Sequence, residues 1–142
     1  MKELPGDVFV TGQLTPETLD MLAQQGVMAF INNRPEGEAH GQPDSASLAA
    51  TAGGQGAAYL HIPMAGMLTP DILARTQEAF DELPRPIVAF CASGMRSAAL
   101  WAFAHVKPLG VDGVLDALGS IGMDMPQLRP QLQAYSERIS DS

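Results

Sequence analysis

The sequence predicts a single α/β domain, residues 1–142, whose central sheet is mainly parallel. Three short apolar segments have the composition of buried strands, at residues 27–31, 58–62 and 87–90. Segments with helical periodicity lie between and after them. Strands that alternate with helices in this way favour a parallel sheet, because each parallel connection crosses the sheet through a helix. The length of 142 residues suits one domain with its own hydrophobic core.

Two helices are predicted from a repeated start signal. The tetrapeptides at 14–17 and 68–71 both read Leu-Thr-Pro followed by an acidic residue. In each, Thr is suited to the N-cap, Pro to the first helical position and the acid to the first turn. The two signals predict helices over residues 16–25, ended by Gly26, and over residues 70–83.

The remaining elements are predicted from composition. Residues 97–106 are apolar on all sides, which predicts a helix buried in the interior. Further helices are expected over residues 44–52, 112–118 and 126–139, and residues 7–10 are predicted to form an edge strand.

Composition and charge exclude several classes of function. The formal net charge is −8, and such a surface repels nucleic-acid backbones. No apolar run approaches the roughly 20 residues of a membrane span, and the first residues lack the apolar segment of a secretory signal, so we expect a cytoplasmic protein. The single cysteine excludes an internal disulfide, and the three histidines have no metal-binding spacing. We therefore expect neither a metal nor a cofactor.

The strongest candidate for an active site is the segment after the strand at residues 87–90. It contains a cysteine, three small residues, a methionine and an arginine at the start of the buried helix, followed by a serine: Cys91, Ala92, Ser93, Gly94, Met95, Arg96 and Ser97. Backbone N–H groups in such a turn form an anion-binding nest, and the helix N-terminus favours a thiolate. We predict Cys91 as the nucleophile and Arg96 as the group that binds the substrate anion, with the other five residues binding substrate. A buried structural cysteine is the alternative.

Ligands of parallel sheets bind beyond the carboxyl ends of the strands, so residues 32–42 and 63–69 are also expected near the site. Arg34 is predicted either to bind the substrate anion or to form an ion pair with Glu36 or Glu38. His61 is expected to be a hydrogen-bonded core residue rather than a ligand. Asp71 is expected to stabilise the helix start.

Three stretches resemble one bacterial family. Cys-Ala-Ser-Gly-Met-Arg-Ser at 91–97, Phe-Ile-Asn-Asn-Arg-Pro-Glu-Gly-Glu at 30–38 and Tyr-Leu-His-Ile-Pro-Met at 59–64 are similar to segments of the β-lactamase hydrolase-like family. Its phosphatase-like domain is related to protein tyrosine and dual-specificity phosphatases, which implies the fold of a cysteine-dependent phosphatase. Members are named phosphatases or sulfurtransferases, and some are fused to persulfide dioxygenase-like or flavoprotein oxidoreductase domains. The resemblance thus implies such a domain as a partner.

The loop departs from the pattern of the related tyrosine phosphatases. Those enzymes have five residues between Cys and Arg, a His before the Cys and an Asp general acid on a neighbouring loop. Here four residues separate Cys91 from Arg96, as in many rhodanese-type sulfurtransferases, Phe90 replaces the His, and residues 63–70 contain no Asp, Glu or His. Because sulfite or a low-pKa thiol leaves without protonation, these departures favour sulfur transfer from a persulfide or thiosulfate to a thiol or sulfite acceptor.

Two alternatives to sulfur transfer stay open at this point. One is a phosphatase that forms a phosphoenzyme on Cys91. The other is a non-catalytic anion-binding or redox-sensing module, which would still bind anions after Cys91 is replaced by serine.

Overall fold

The central sheet of the computed structural model, which describes residues 1–140, has five strands in the order β1-β2-β5-β3-β4. Strands β2, β5, β3 and β4 run parallel, and β1 is antiparallel to β2. The strands are β1 (Lys2–Leu4), β2 (Val8–Thr11), β3 (Ala29–Asn32), β4 (Ala58–His61) and β5 (Ile87–Phe90). The predicted α/β class with a mainly parallel sheet is therefore confirmed.

Helices flank this sheet. They are α1 (Pro16–Gln24), α2 (Ser45–Gly54), α3 (Pro70–Glu82), α4 (Met95–Ser120) and α5 (Arg129–Ser140), with one turn of 3₁₀ helix at Pro126–Leu128. Both predicted N-caps are confirmed: the Thr15 hydroxyl accepts the N–H of Thr18, and the Thr69 hydroxyl accepts that of Ile72, each at 3.1 Å. None of the helices among residues 1–140 combines the length and the apolar character needed to cross a membrane.

The helices predicted at 97–106 and 112–118 are both present, as the two segments of α4 on either side of a kink. Helix α4 continues past Pro108 and changes direction at Gly110, whose backbone is non-helical (φ 77°, ψ 164°). Pro108 removes a hydrogen-bond donor, and a glycine adopts positive φ without a steric penalty. The regular helix is therefore interrupted here, and a second helical segment follows Gly110.

The edges of the sheet differ from the prediction. Residues 7–10 were expected at an edge, but β2 lies between β1 and β5. The three-residue strand β1 occupies that edge instead. At the other edge lies β4, which was predicted to be buried and has Leu60 39% exposed.

Alternating strand residues face two separate cores. On one face, Ile31, Ala89 and neighbouring apolar residues pack with Trp101 and other residues of α3, α4 and α5. On the opposite face, Phe30, Val88 and Phe90 pack with leucines of α1 and α2. Trp101 and Phe90 are fully buried. The two cores therefore fix the direction of β5 and of the first turns of α4, the elements between which the cysteine lies.

Candidate active site

A tight turn connects β5 to α4 and carries the cysteine. Gly94 is the N-cap of α4 and has φ 94°, a conformation that favours glycine. A Cβ atom at this position would also lie 3.2 Å from the backbone of Thr11 in β2. Only glycine satisfies both demands without displacing the neighbouring strand.

Cys91 lies at the base of this turn with no exposed surface. Its Sγ accepts a 3.1 Å hydrogen bond from the N–H of Gly94, and the N–H groups of Ser93, Arg96 and Ser97 also point to it. Burial raises the pKa of the Cys91 thiol, but the four N–H groups outweigh burial, and the net pKa lies below the ordinary thiol value. A lowered pKa increases the fraction of Cys91 that is present as the thiolate, the nucleophilic form of cysteine.

The Arg96 guanidinium forms a paired contact with a carboxylate. Its two terminal nitrogens donate to the two oxygens of Glu38, Nη1 at 2.9 Å and Nη2 at 2.8 Å. Nη1 also donates to the backbone carbonyl of Met64 at 2.9 Å. The hydrogen bond to Glu38 raises the pKa of Arg96, and the nearby Cys91 thiol raises it further. Arg96 therefore lies beside the Cys91 side chain as a permanent cation.

Arg34 joins the same network from the end of β3. Its Nε donates to Glu38 Oε1 at 3.0 Å, and its Nη1 donates to Gln13 Oε1 at 3.1 Å. Of the two roles predicted for Arg34, the ion pair with Glu38 is present, whereas the Glu36 carboxylate accepts the N–H of Ser45. Arg34 and Arg96 therefore both donate to the same carboxylate, that of Glu38.

Glu38 is the residue whose importance the sequence did not reveal. The sequence marked it only as one of two partners for Arg34, although it also contacts Arg96, 58 positions away. The hydrogen bond from Arg96, with a smaller contribution from Arg34, lowers the pKa of Glu38 to about 2. Its position in a segment that follows a strand was the available signal.

Ser97 serves the site through its backbone. Its hydroxyl is fully buried and donates to Asn33 Oδ1 at 2.8 Å, while Asn33 Nδ2 donates to the carbonyl of Ile62 at 3.0 Å. The Ser97 hydroxyl thus holds neighbouring segments together, and its N–H points to Cys91; substrate binding by Ser97 stays a prediction. Asn33 is a second supporting residue that the sequence analysis assigned no contact.

The other residues of the turn that were predicted to bind substrate differ in exposure. Gly94 is buried, whereas Ala92, Ser93 and Met95 are exposed at the surface. The Met95 side chain is 44% exposed. These three residues therefore form the exposed part of the turn, whereas Cys91 is buried.

The remaining polar residues at this edge have structural partners. His61 Nε2 hydrogen-bonds the carbonyl of Arg34 at 2.7 Å, which confirms that it is a hydrogen-bonded residue, although it is half-buried rather than part of the core. Asp71 lies in the first turn of α3, as expected. Within residues 1–140 no three His, Cys, Asp or Glu side chains are grouped as metal ligands would be.

Comparisons with known proteins place this site in a family. A family model described as the phosphatase-like domain of β-lactamase hydrolase-like proteins matches residues 1–107, which include the whole cysteine loop. This chain belongs to that family. A β-lactamase hydrolase-like protein of Agrobacterium fabrum is 32% identical over 97 residues, which cover 68% of this chain and 22% of the relative. The chain therefore spans less than a quarter of the length of this larger protein.

Solved structures similar to this β-lactamase hydrolase-like domain share its fold. A candidate phosphatase of Neisseria meningitidis has a TM-score of 0.80 and 24% identity, covering 94% of this chain and 96% of its own. The core catalytic domain of a PP-IP phosphatase of S. cerevisiae has a TM-score of 0.71 and 14% identity, covering 99% and 90%. Kinase-associated phosphatase, with its catalytic-site cysteine replaced by serine, has a TM-score of 0.68 and 14% identity, covering 95% and 87%.

At these identities the likeness shows the fold alone, which is that of cysteine-dependent phosphatases. The predicted phosphatase-like family is confirmed by the family model and the Agrobacterium relative. The names among these matches support the phosphatase alternative more directly than sulfur transfer, and the sulfurtransferase name is not confirmed.

Proposed function

We propose that this phosphatase-like domain is a cysteine-dependent group-transfer enzyme in which Cys91 takes sulfane sulfur from an anionic donor. One observation carries the choice of cargo: the carboxylate nearest to Arg96 belongs to Glu38, whose pKa of about 2 keeps it ionised at neutral pH. An ionised carboxylate has no proton to give to a leaving group. The segment from residue 63 to 70, beside Arg96, contains no other acid.

The reaction written for thiosulfate needs only the groups at the site. The Cys91 thiolate attacks the outer sulfur, a sulfur–sulfur bond forms to Cys91, and the bond within thiosulfate breaks. Sulfite leaves with the electron pair and needs no proton. An acceptor thiolate or sulfite then attacks the outer sulfur of the Cys91 persulfide and regenerates the thiolate. Arg96 and backbone N–H groups of the loop would hold the donor's oxygens.

The groups around Cys91 can stabilise a persulfide intermediate. The four N–H groups at Sγ stabilise negative charge beside the thiol, and Arg96 adds a full positive charge. The thiolate before transfer and the persulfide anion after it are therefore both stabilised. The persulfide dioxygenase-like or flavoprotein partner implied by the resemblance stays a prediction, and it would supply or consume this sulfur.

A phosphatase is the second candidate, and the family match favours it. Cys91 would attack phosphorus, form a phosphoenzyme and release an alcohol, and water would then free phosphate. Without an acid to protonate the alcohol, such an enzyme would act on esters with good leaving groups, such as aryl phosphates.

The deciding experiment is mass spectrometry of the intact protein after incubation with thiosulfate or glutathione persulfide. Sulfur transfer predicts the gain of one sulfur atom on Cys91, lost again when cyanide or sulfite is added. The Cys91→Ser protein, which should still bind the anion, is the control and should gain nothing.

Hydrolysis of an aryl phosphate is measured in parallel. If no sulfur is gained while phosphate is released in a Cys91-dependent reaction, sulfur transfer is wrong and the phosphatase candidate replaces it. If neither occurs although anions bind, the domain is a non-catalytic module.

A further inference from the structure

We propose that Glu38 is a positioning residue for Arg96: it fixes the guanidinium so that one bidentate edge faces an anion bound over Cys91. The proposal rests on the proposed function only in requiring an anionic substrate, which both candidate reactions have. Glu38 does not itself take part in either reaction.

The first argument is a count of donors. A guanidinium carries five N–H groups. Glu38 accepts one from each terminal nitrogen of Arg96, and the Met64 carbonyl accepts the second one of Nη1. The two that are left, on Nε and Nη2, lie side by side and match two oxygens of one anion. The contacts at Glu38 and Met64 therefore leave this edge of Arg96 for the hydrogen bond between the Arg96 and Cys91 side chains and for an anion bound beside Cys91.

The second argument is the location of that edge. The Arg96 side chain interacts with the Cys91 thiol as well as with Glu38. Glu38 and Met64 hold the far end of the guanidinium, so the contact with Cys91 is left to the edge that includes Nε, the nitrogen nearer to the backbone. An anion that binds this edge is thereby brought to the nucleophile.

The third argument is that Glu38 is itself held in place. Its backbone N–H donates to Gln42 Oε1 at 3.0 Å, and Gln42 Nε2 donates to the carbonyl of Pro35 at 2.9 Å. Arg34 holds the carboxylate from a second direction. The segment between Pro35 and Gln42 is therefore closed on itself, and Glu38 can act as a fixed support for Arg96. This also assigns Arg34 a role, since it holds Glu38.

A blocking role is the opposing hypothesis, in which the Glu38 carboxylate competes with the substrate for Arg96. The two hypotheses predict opposite effects of removing the Glu38 carboxylate on reactions of Cys91 with anions. Removing a competitor improves reactions with anions, and removing the support weakens them. Loss of one negative charge by itself also favours anions. If Glu38→Gln lowers the reactivity of Cys91 with anions, the loss of negative charge cannot be the cause, because that loss alone would raise it.

The test compares two alkylating reagents on Cys91. Iodoacetate is an anion and iodoacetamide is neutral, and each forms a carbon–sulfur bond to the thiolate and releases iodide. The ratio of their rate constants reports how well Arg96 guides an anion to the thiolate, whether the natural cargo is sulfur or phosphate. Glu38→Gln is expected to lower this ratio about tenfold, the cost of losing a charge-assisted hydrogen-bond pair. Glu38→Asp, which keeps the charge but is too short to reach both arginines, should lower it as well.

Glu36→Gln is the matched control, because it removes the same charge from the same segment without touching Arg96, and it should not lower the ratio. In an Arg96→Lys protein, which has no bidentate edge, Glu38→Gln should cause no further decrease. An unchanged or higher ratio in both Glu38 variants overturns the proposal, and a rise favours the blocking role. If Arg96→Lys itself leaves the ratio unchanged, Arg96 does not guide anions and the proposal also fails. The ratio of alkylation rates does not depend on whether Cys91 accepts sulfur. Failure of the sulfur-transfer proposal is therefore distinguished from failure of the proposed role of Glu38.

Discussion

The Ser97 hydroxyl donates a 2.8 Å hydrogen bond to Asn33 Oδ1, and both residues are buried. This contact joins the end of β3 to the first turn of α4. Because Asn33 also donates to the carbonyl of Ile62 after β4, one asparagine connects three segments at the carboxyl edge of the sheet. The register of the cysteine loop relative to the sheet depends on this buried pair.

Replacing Asn33 with alanine should therefore destabilise the protein and weaken the site. The change leaves the Ser97 hydroxyl and the Ile62 carbonyl without this buried partner, at a cost of about 1–3 kcal/mol. Denaturant unfolding measures that cost. Ser120→Ala, which removes an exposed hydrogen bond to the Ala117 carbonyl, is the control and should change stability by less than about 0.5 kcal/mol. Equal effects of the two substitutions would contradict the structural role of Asn33.

The reactivity of Cys91 should show its lowered pKa. The thiolate fraction falls as the pH falls through the pKa, so the rate of alkylation by iodoacetamide should decline at a lower pH than it does for an ordinary thiol of pKa about 8.5. The same protein unfolded in urea is the control, since unfolding removes the four N–H groups from Sγ. Coincident pH profiles for the folded and unfolded protein would show that these N–H groups do not stabilise the thiolate.

Arg96→Lys should lower kcat/KM for the anionic donor by about 10²-fold. Lysine keeps the positive charge, but it cannot present two parallel N–H groups to the oxygens of an anion or bind both oxygens of Glu38. Steady-state kinetics measure the loss. Arg129→Lys is the control, because Arg129 pairs with Asp112 away from the site. An Arg96→Lys enzyme with normal kinetics would mean that charge alone is sufficient.

The ion pairs of Glu38 should make a pH-dependent contribution to stability. The pKa of Glu38 in the folded protein is about 2, below its ordinary value of 4.5, so the stabilisation is present above that ordinary value and is lost as the pH falls towards 2. The difference in unfolding free energy between the wild type and Glu38→Gln should be constant between neutral pH and about pH 5 and should shrink below it. Urea unfolding at a series of pH values measures this difference, and a difference independent of pH down to acid unfolding would contradict the assignment.

The parts of the site that sequence analysis predicted depend on local chemistry. Cys91, Gly94 and Arg96 lie within six positions, and a strand, a small-residue turn and a helix start are recognisable there without any distant contact. The caps at Thr15 and Thr69 are local for the same reason. The sequence alone is therefore sufficient to locate the cysteine turn and both helix caps.

The parts that were missed depend on contacts between distant segments. Glu38 and Arg96 are far apart in the chain, and no local pattern distinguishes Glu38 from Glu36. Strand β1 has three residues, of which two are charged, so it lacks the apolar character on which strand prediction depends. The interruption of α4, by contrast, was predicted, because Pro108 and Gly110 are local signals for the end of a helix. Only the packing of residues on both sides of the kink into one core needed the structure.

The N-terminal strand pair also has a consequence for protein engineering. The carbonyl of Thr11 accepts the N–H of Cys91, the N–H of Gln13 donates to the carbonyl of Ala92, and a Cβ on Gly12 would lie 3.0 Å from that carbonyl. Residues 11–13, which follow from strand β2, thus lie directly against the cysteine loop. Affinity tags and fused domains should be joined ahead of β1. Libraries that randomise the N-terminus should leave residues 8–13 intact, because changes in that segment alter the backbone around Cys91.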